Sequence, residues 1–148
     1  MVAPIAVGRY MPDKLIRVFL VDDSDAFRRS AGLYLARQLS CELVGVASSG
    51  DEALARVPVL HPDLVLLDIA MPGTNGLEVA RRLKSQPSAP HVVMVTIHDD
   101  ASYRVAAREA GADGFIAKSD FTLRVLDLLR DLAEGAKPPP VDFDSNAE

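Results

Sequence analysis

With 148 residues the chain has room for one domain and a substantial core. Its makeup, 49% hydrophobic and 25% charged with no tryptophan, is that of an ordinary globular protein. A net charge of −5 leaves no basic field for a nucleic-acid backbone, so no direct nucleic-acid partner is expected of this chain. A lone cysteine excludes an internal disulfide, the start lacks a signal peptide's basic region, and no apolar run nears the roughly 18 residues of a bilayer span; the expectation is a cytoplasmic protein with no membrane partner.

Residues 1–13 read as a flexible extension. Leu15–Val21 is a near-continuous run of Leu, Ile, Val and Phe, the pattern of a strand buried on both faces. Asp25–Leu39 sets Phe27, Ala31, Tyr34, Leu35 and Leu39 at helical spacing, with Ser24 as N-cap. Cys41, with no histidine near it in sequence, reads as a small hydrophobe rather than a nucleophile. Leu43–Ala47 is a second strand. Ser49, Gly50 and the acidic pair Asp51 and Glu52 open a helix to Leu60, which Pro58 is expected to kink or end early.

Leu64–Leu67 is a third strand, ending at Asp68, and Gly76–Ser85 a helix after a Pro-Gly loop. Val92–Val95 is a fourth strand, Asp100–Ala110 a helix closed by Gly111, and Gly114–Ala117 a fifth strand. Phe121–Glu134 is the last helix, with Val125, Leu128, Leu129 and Leu132 as its core stripe and Leu123 and Leu126 partly off it. Residues 135–148 form a proline-led, acidic tail, leaving 14–134 as the folded domain. Strands alternating with helices imply an α/β fold, a parallel sheet covered on both faces.

In open parallel sheets ligands bind beyond the carboxyl ends of the strands. Here those ends carry Asp22 and Asp23, Asp68, Thr96 and Lys118. Clustered carboxylates repel unless a cation neutralises them, and hard oxygen ligands suit Mg²⁺ or Mn²⁺. A carboxylate beside such an ion can attack a phosphoryl group and form an aspartyl phosphate, with Lys118 and the Thr96 hydroxyl stabilising charge. Taken singly, an aspartate there reads as a helix cap, Thr96 as a strand residue and Lys118 as a solvated charge; together, in register, they read as one site.

Four stretches, V-F-L-V-D-D-S at 18–24, L-V-L-L-D-I-A-M-P-G-T-N-G at 64–76, V-V-M-V-T at 92–96 and G-A-D-G-F-I-A-K at 111–118, resemble the receiver domains of two-component response regulators. The resemblance implies a flavodoxin-like, doubly wound sheet of five strands in the order 2-1-3-4-5. It makes Asp68 the phosphoacceptor, Asp23 a direct metal ligand, Asp22 a ligand through water and Ala70 a ligand through its main-chain carbonyl. Thr96 becomes the switch hydroxyl, Phe115 the aromatic that follows it, and Lys118 the salt-bridging lysine. Met71, Pro72, Gly73 and Gly76 shape the loop. Phe115 also reads simply as core.

Ser119 stands where many receivers have proline, as in receivers of the LuxR/NarL type. Ile97 stands where many have a small residue, and is expected to slow loss of the phosphoryl group. His98 reads as a surface histidine or one that touches the mouth of the site. The function implied is a phosphoacceptor rather than an enzyme acting on other molecules. Its phosphoryl group would come from a sensor histidine kinase or phosphotransfer protein. Output would pass to a downstream protein through the face of helix 4, strand 5 and helix 5, or to a second copy in a homodimer. The chain is expected to act alone, with no output module after Glu134; the alternative is a receiver fragment of a longer DNA-binding regulator. Two other classes stay in view. A haloacid-dehalogenase-type phosphatase would use Asp23 and Asp25 as D-x-D but lacks space for a cap, and a flavin module would need a phosphate loop after the first strand.

Overall fold

A computed structural model describes residues 15–135. The expected extension at 1–13 and the tail from 136 onward lie outside them. Five parallel strands, β1 (Ile16–Val21), β2 (Cys41–Ala47), β3 (Leu64–Leu67), β4 (His91–Thr96) and β5 (Gly114–Ala117), pair in the order β2-β1-β3-β4-β5. Five helices connect or follow them: α1 (Asp25–Ala36), α2 (Gly50–Leu60), α3 (Gly76–Lys84), α4 (Ala101–Glu109) and α5 (Phe121–Ala133). A 3₁₀ turn, Lys118–Asp120, leads into α5.

Alternation along each strand builds two cores. Ile16, Val18, Leu20, Leu64, Leu66, Val93, Val95 and Ile116 pack with Ala31 and Leu35 of α1 and Val125, Leu128 and Leu129 of α5. Phe19, Val21, Val65, Leu67, Val92, Met94 and Phe115 meet α2, α3 and α4 on the opposite face. Each fully buried large side chain contributes on the order of 1.5–3 kcal/mol. This is why the strands read as continuous apolar runs: neither face meets water.

Local chemistry sets the helix starts. The side chains of Ser24, Ser49, Asn75 and Asp100 accept hydrogen bonds from the amides of Phe27, Glu52, Glu78 and Tyr103, capping α1 to α4 in turn. Other boundaries differ from the sequence expectation. The α1 helix stops at Ala36, and Leu39, expected on its apolar stripe, is 59% exposed beyond its end. Pro58 does not break α2, which runs on to Leu60 and is closed by His61 in the left-handed conformation. In the last turn a proline removes at most one helical hydrogen bond, so the cost is small there. The β2 strand starts two residues early, with Cys41 opposite Ile16. Burial, followed by the Glu42 charge, pushes the Cys41 thiol up to about 11, so it is protonated and inert at neutral pH. An extra residue in β2, Val44, shifts the register beside Phe19. Gly45 then faces the Phe19 ring, where a Cβ would come within 2.6 Å of it.

The stripe on α5 is as expected: Val125, Leu128 and Leu129 are buried and Leu132 is half-buried, whereas Leu123 is 75% exposed and Leu126 half-buried.

Candidate functional site

The register places the polar residues side by side. Val21 pairs with Leu67 and Thr96 with Ala117, so Asp22, Asp68 and Lys118 each follow the last residue of a strand on one rim. The Asp68 amide donates to the Val21 carbonyl at 3.0 Å and the Asp22 amide to that of Ala47 at 3.1 Å, which carries the sheet's hydrogen bonding into the site. By alternation Asp22 continues the side of Leu20, and Lys118 that of Ile116, so the two meet above α1.

Asp22, Asp23 and Asp68 each offer a carboxylate oxygen, and these oxygens lie within 4.8 Å of one another. Asp22 and Asp68 are buried and Asp23 is exposed. The Lys118 ammonium stands 2.8 Å from Oδ2 of Asp22 and 3.5 Å from Oδ2 of Asp68. Asp22 Oδ1 accepts the Ser24 amide at 2.8 Å, Asp68 Oδ1 accepts the Ile69 amide at 2.8 Å, and Arg28 donates to the Asp22 carbonyl at 2.8 Å. Thr96 is wholly buried, and its hydroxyl accepts the His98 amide at 3.1 Å.

Burial, followed by the Asp22 charge, raises the Asp68 carboxyl above the ordinary carboxylate range; the Lys118 ammonium, the Thr96 hydroxyl and the Ile69 amide pull it part of the way back. One ammonium among three carboxylates leaves negative charge uncompensated. The wholly buried Oδ2 of Asp22 has Lys118 as an ionic neighbour but receives no hydrogen bond. An oxygen-only set with that residual charge fits a hard divalent cation.

All five residues expected at the rim are therefore brought together. Ala70 lies two residues beyond Asp68 in the β3–α3 loop, exposed. Gly76 shapes that loop for a definite reason: a Cβ there would collide with the Asp68 carbonyl, and its amide donates to Ile69 O at 2.8 Å. Gly73 adopts φ 76°, the left-handed region. Phe115 is not on the rim but buried in the core behind it, 4% exposed. His98 is half-buried, its ring stacked on Tyr103 with centroids 5.1 Å apart. Ile97 is 71% exposed.

Two residues at the site were not anticipated. Phe27, read only as helix core, lies under the Lys118 ammonium at 4.5 Å from its ring centroid and packs edge-on against Phe121. Nothing in sequence spacing relates Phe27 to Lys118. Arg104 is buried with its guanidinium over the Phe115 ring, and it did leave a signal: a charge three residues before Ala107, on the inward phase of α4.

The fold and this rim are those of a receiver, and known proteins agree. A family model described as the response regulator receiver domain matches residues 18–129, more than half of the chain. The chain belongs to that family. It is 37% identical over 118 residues to the transcriptional regulatory protein ResD of Bacillus subtilis, covering 77% of this chain and 48% of that protein. It is 32% identical over 123 residues to LiaR of the same organism, covering 82% and 57%. The solved receiver domain of the putative response regulator NarL from Mycobacterium tuberculosis superposes with a TM-score of 0.76 at 31% identity, covering 82% of this chain and 98% of that one. A NarL relative is what the Lys118–Ser119 pair led us to expect. The chain spans about half the length of the curated relatives it matches. Among the described residues no helix is long and apolar enough to cross a membrane.

Proposed function

We propose that the chain is a phosphorylation-operated switch in which Asp68 takes a phosphoryl group from the phosphohistidine of a sensor kinase or phosphotransfer protein. The carrying observation is the convergence of three carboxylate oxygens within 4.8 Å of one another, with one ammonium paired to the Asp22 and Asp68 carboxylates. An Asp68 carboxylate oxygen attacks phosphorus, the phosphorus–nitrogen bond breaks, and the electron pair returns to the imidazole. Asp22, Asp23, Asp68 and the main-chain carbonyl of Ala70 would hold Mg²⁺ or Mn²⁺. When bound, that ion supplies charge neutralisation for the transferring group.

The protein's own groups do the rest. Lys118, pinned between Asp22 and Asp68 and over the Phe27 ring, is placed to neutralise the new phosphoryl oxygens. The buried Thr96 hydroxyl, which accepts the His98 amide at the end of β4, can turn to a phosphoryl oxygen, and Phe115 behind it can respond. The surface of α4, β5 and α5 would then present a changed shape to a downstream protein or to a second copy of the chain. The only catalysis in this reading is of the chain's own phosphorylation and slow dephosphorylation.

Acetyl phosphate with Mg²⁺ is expected to add one phosphoryl group per chain by intact mass, and none in Asp68→Asn. Steady hydrolysis without a labelled chain would overturn the reading in favour of a phosphatase. Because relatives such as ResD carry the name transcriptional regulatory protein and are about twice this span, the same switch could serve as the receiver portion of a DNA-binding regulator.

A further inference from the structure

Behind the rim lies a buried charge that the phosphoryl chemistry does not use. Arg104 of α4 is 7% exposed, and a guanidinium withdrawn from water is costly unless other groups replace its hydration. Its Nε donates to the main-chain carbonyl of Asp99 at 2.9 Å, and its guanidinium carbon stands 4.6 Å from the centroid of the Phe115 ring. A cation over a ring face attracts most strongly where water is excluded, and Phe115 is itself 4% exposed, in register with the buried Met94. The loop that Arg104 grips is also fastened at its other end. The His98 amide donates to the Thr96 hydroxyl at 3.1 Å, and the His98 ring stacks on Tyr103, the neighbour of Arg104. The segment between β4 and α4 is thus strung between Thr96 and Arg104, and Arg104 ties it to Phe115.

We propose that Arg104 is a positioning residue that latches Phe115 into the core, so that the aromatic of the switch is held inward before any phosphoryl group arrives. The consequence for signalling rests on the reading of Thr96 and Phe115 given above; the latch itself does not. If the Thr96 hydroxyl turns toward a phosphoryl oxygen, it releases the His98 amide, the loop shifts at Asp99, and Arg104 carries that shift to the ring. A domain whose ring is already inward spends less of the phosphoryl group's binding energy on rearrangement, so it should take up a phosphoryl mimic more tightly than one whose ring is free.

The test uses the whole chain labelled with para-fluorophenylalanine, its five phenylalanine signals assigned by substitution. Fluorine NMR with a soluble paramagnetic probe reads the exposure of the Phe115 ring without metal or phosphodonor. Arg104→Met keeps the apolar stem and should expose the ring; Arg104→Lys keeps a cation and should retain most of the protection. A ring as protected in Arg104→Met as in the parent, or lost equally in both variants, overturns the latch. In a second arm, beryllofluoride with Mg²⁺ should bind Arg104→Met about fivefold more weakly than the parent, the factor expected of one cation–π contact of ordinary strength. Equal affinity in the two would overturn the coupling. Failure of the parent itself to bind beryllofluoride would sink the phosphoacceptor reading, while the exposure measurement would still decide the latch.

Discussion

Asp68 carries an electrostatic penalty from its burial and from the neighbouring Asp22 charge. Together they raise its carboxyl above the ordinary value of 3.8, so between that value and the raised one the folded chain holds a proton that the unfolded chain releases. Stability from this group therefore falls as pH rises from that ordinary value through the raised one, and stays low at neutral pH. Replacing Asp68 with asparagine removes the charge and leaves an oxygen for the Ile69 amide. In chelator, Asp68→Asn should unfold at higher urea than the parent at neutral pH, the gap closing on acidification toward 3.8. A parent that is the more stable of the two at neutral pH would contradict this account of the site. Gly76→Ala would drive a methyl group into the Asp68 carbonyl and should cost about 1–3 kcal/mol in denaturant midpoint, as overpacking does, together with loss of labelling by acetyl phosphate. Ile97, 71% exposed beside Thr96, is predicted to shield the phosphoryl group; Ile97→Ala should lose label faster, and an unchanged half-life would remove Ile97 from that role. The rim residues were legible because each follows an apolar run at the same strand end. Phe27 left no trace because its contact with Lys118 is set by how α1 docks on the sheet, whereas the inward phase of Arg104 was visible and only its partner, Phe115, was not.

Among the elements, the strands were read closely because each is buried on both faces, and a continuous apolar run has few other interpretations. Helix beginnings were marked by Ser24 and Ser49, whose hydroxyls cap α1 and α2. Helix endings were less legible. Leu39 continues the helical spacing of α1, yet Gln38 bonds back to the Tyr34 and Leu35 carbonyls and the chain turns to enter β2. Pro58 looked like a stop, but it sits where α2 is about to end anyway. The first turn of α2 has a further role, because Asp51 accepts a hydrogen bond from the Thr74 hydroxyl at 2.8 Å, joining the helix to the loop that follows Asp68. Ser49→Ala should cost about 1 kcal/mol by urea denaturation, the usual worth of an N-cap hydroxyl. No measurable loss would mean that the 3.2 Å bond to the Glu52 amide contributes nothing.

At the scale of the molecule, one parallel sheet gathers charge at one rim, above a core on each of its faces. The Asp22–Lys118 contact adjoins the core of α1 and α5, through Phe27 and Phe121. Thr96 adjoins the core of α2, α3 and α4, through Phe115 and Arg104. A cation that binds only the folded chain must stabilise it, by about 2.7 kcal/mol at a hundred times its dissociation constant. Mg²⁺ should therefore raise the melting temperature of the parent but not of Asp23→Asn. Equal rises in both would remove Asp23 from the ligand set.

The most direct measurement is transfer of a radiolabelled phosphoryl group from a phosphohistidine protein to this chain, with Mg²⁺ or with chelator. The account predicts one label per chain, acid-stable and base-labile as an acyl phosphate is, absent in chelator and absent in Asp68→Asn. Label retained by Asp68→Asn, or transfer undiminished in chelator, would contradict it.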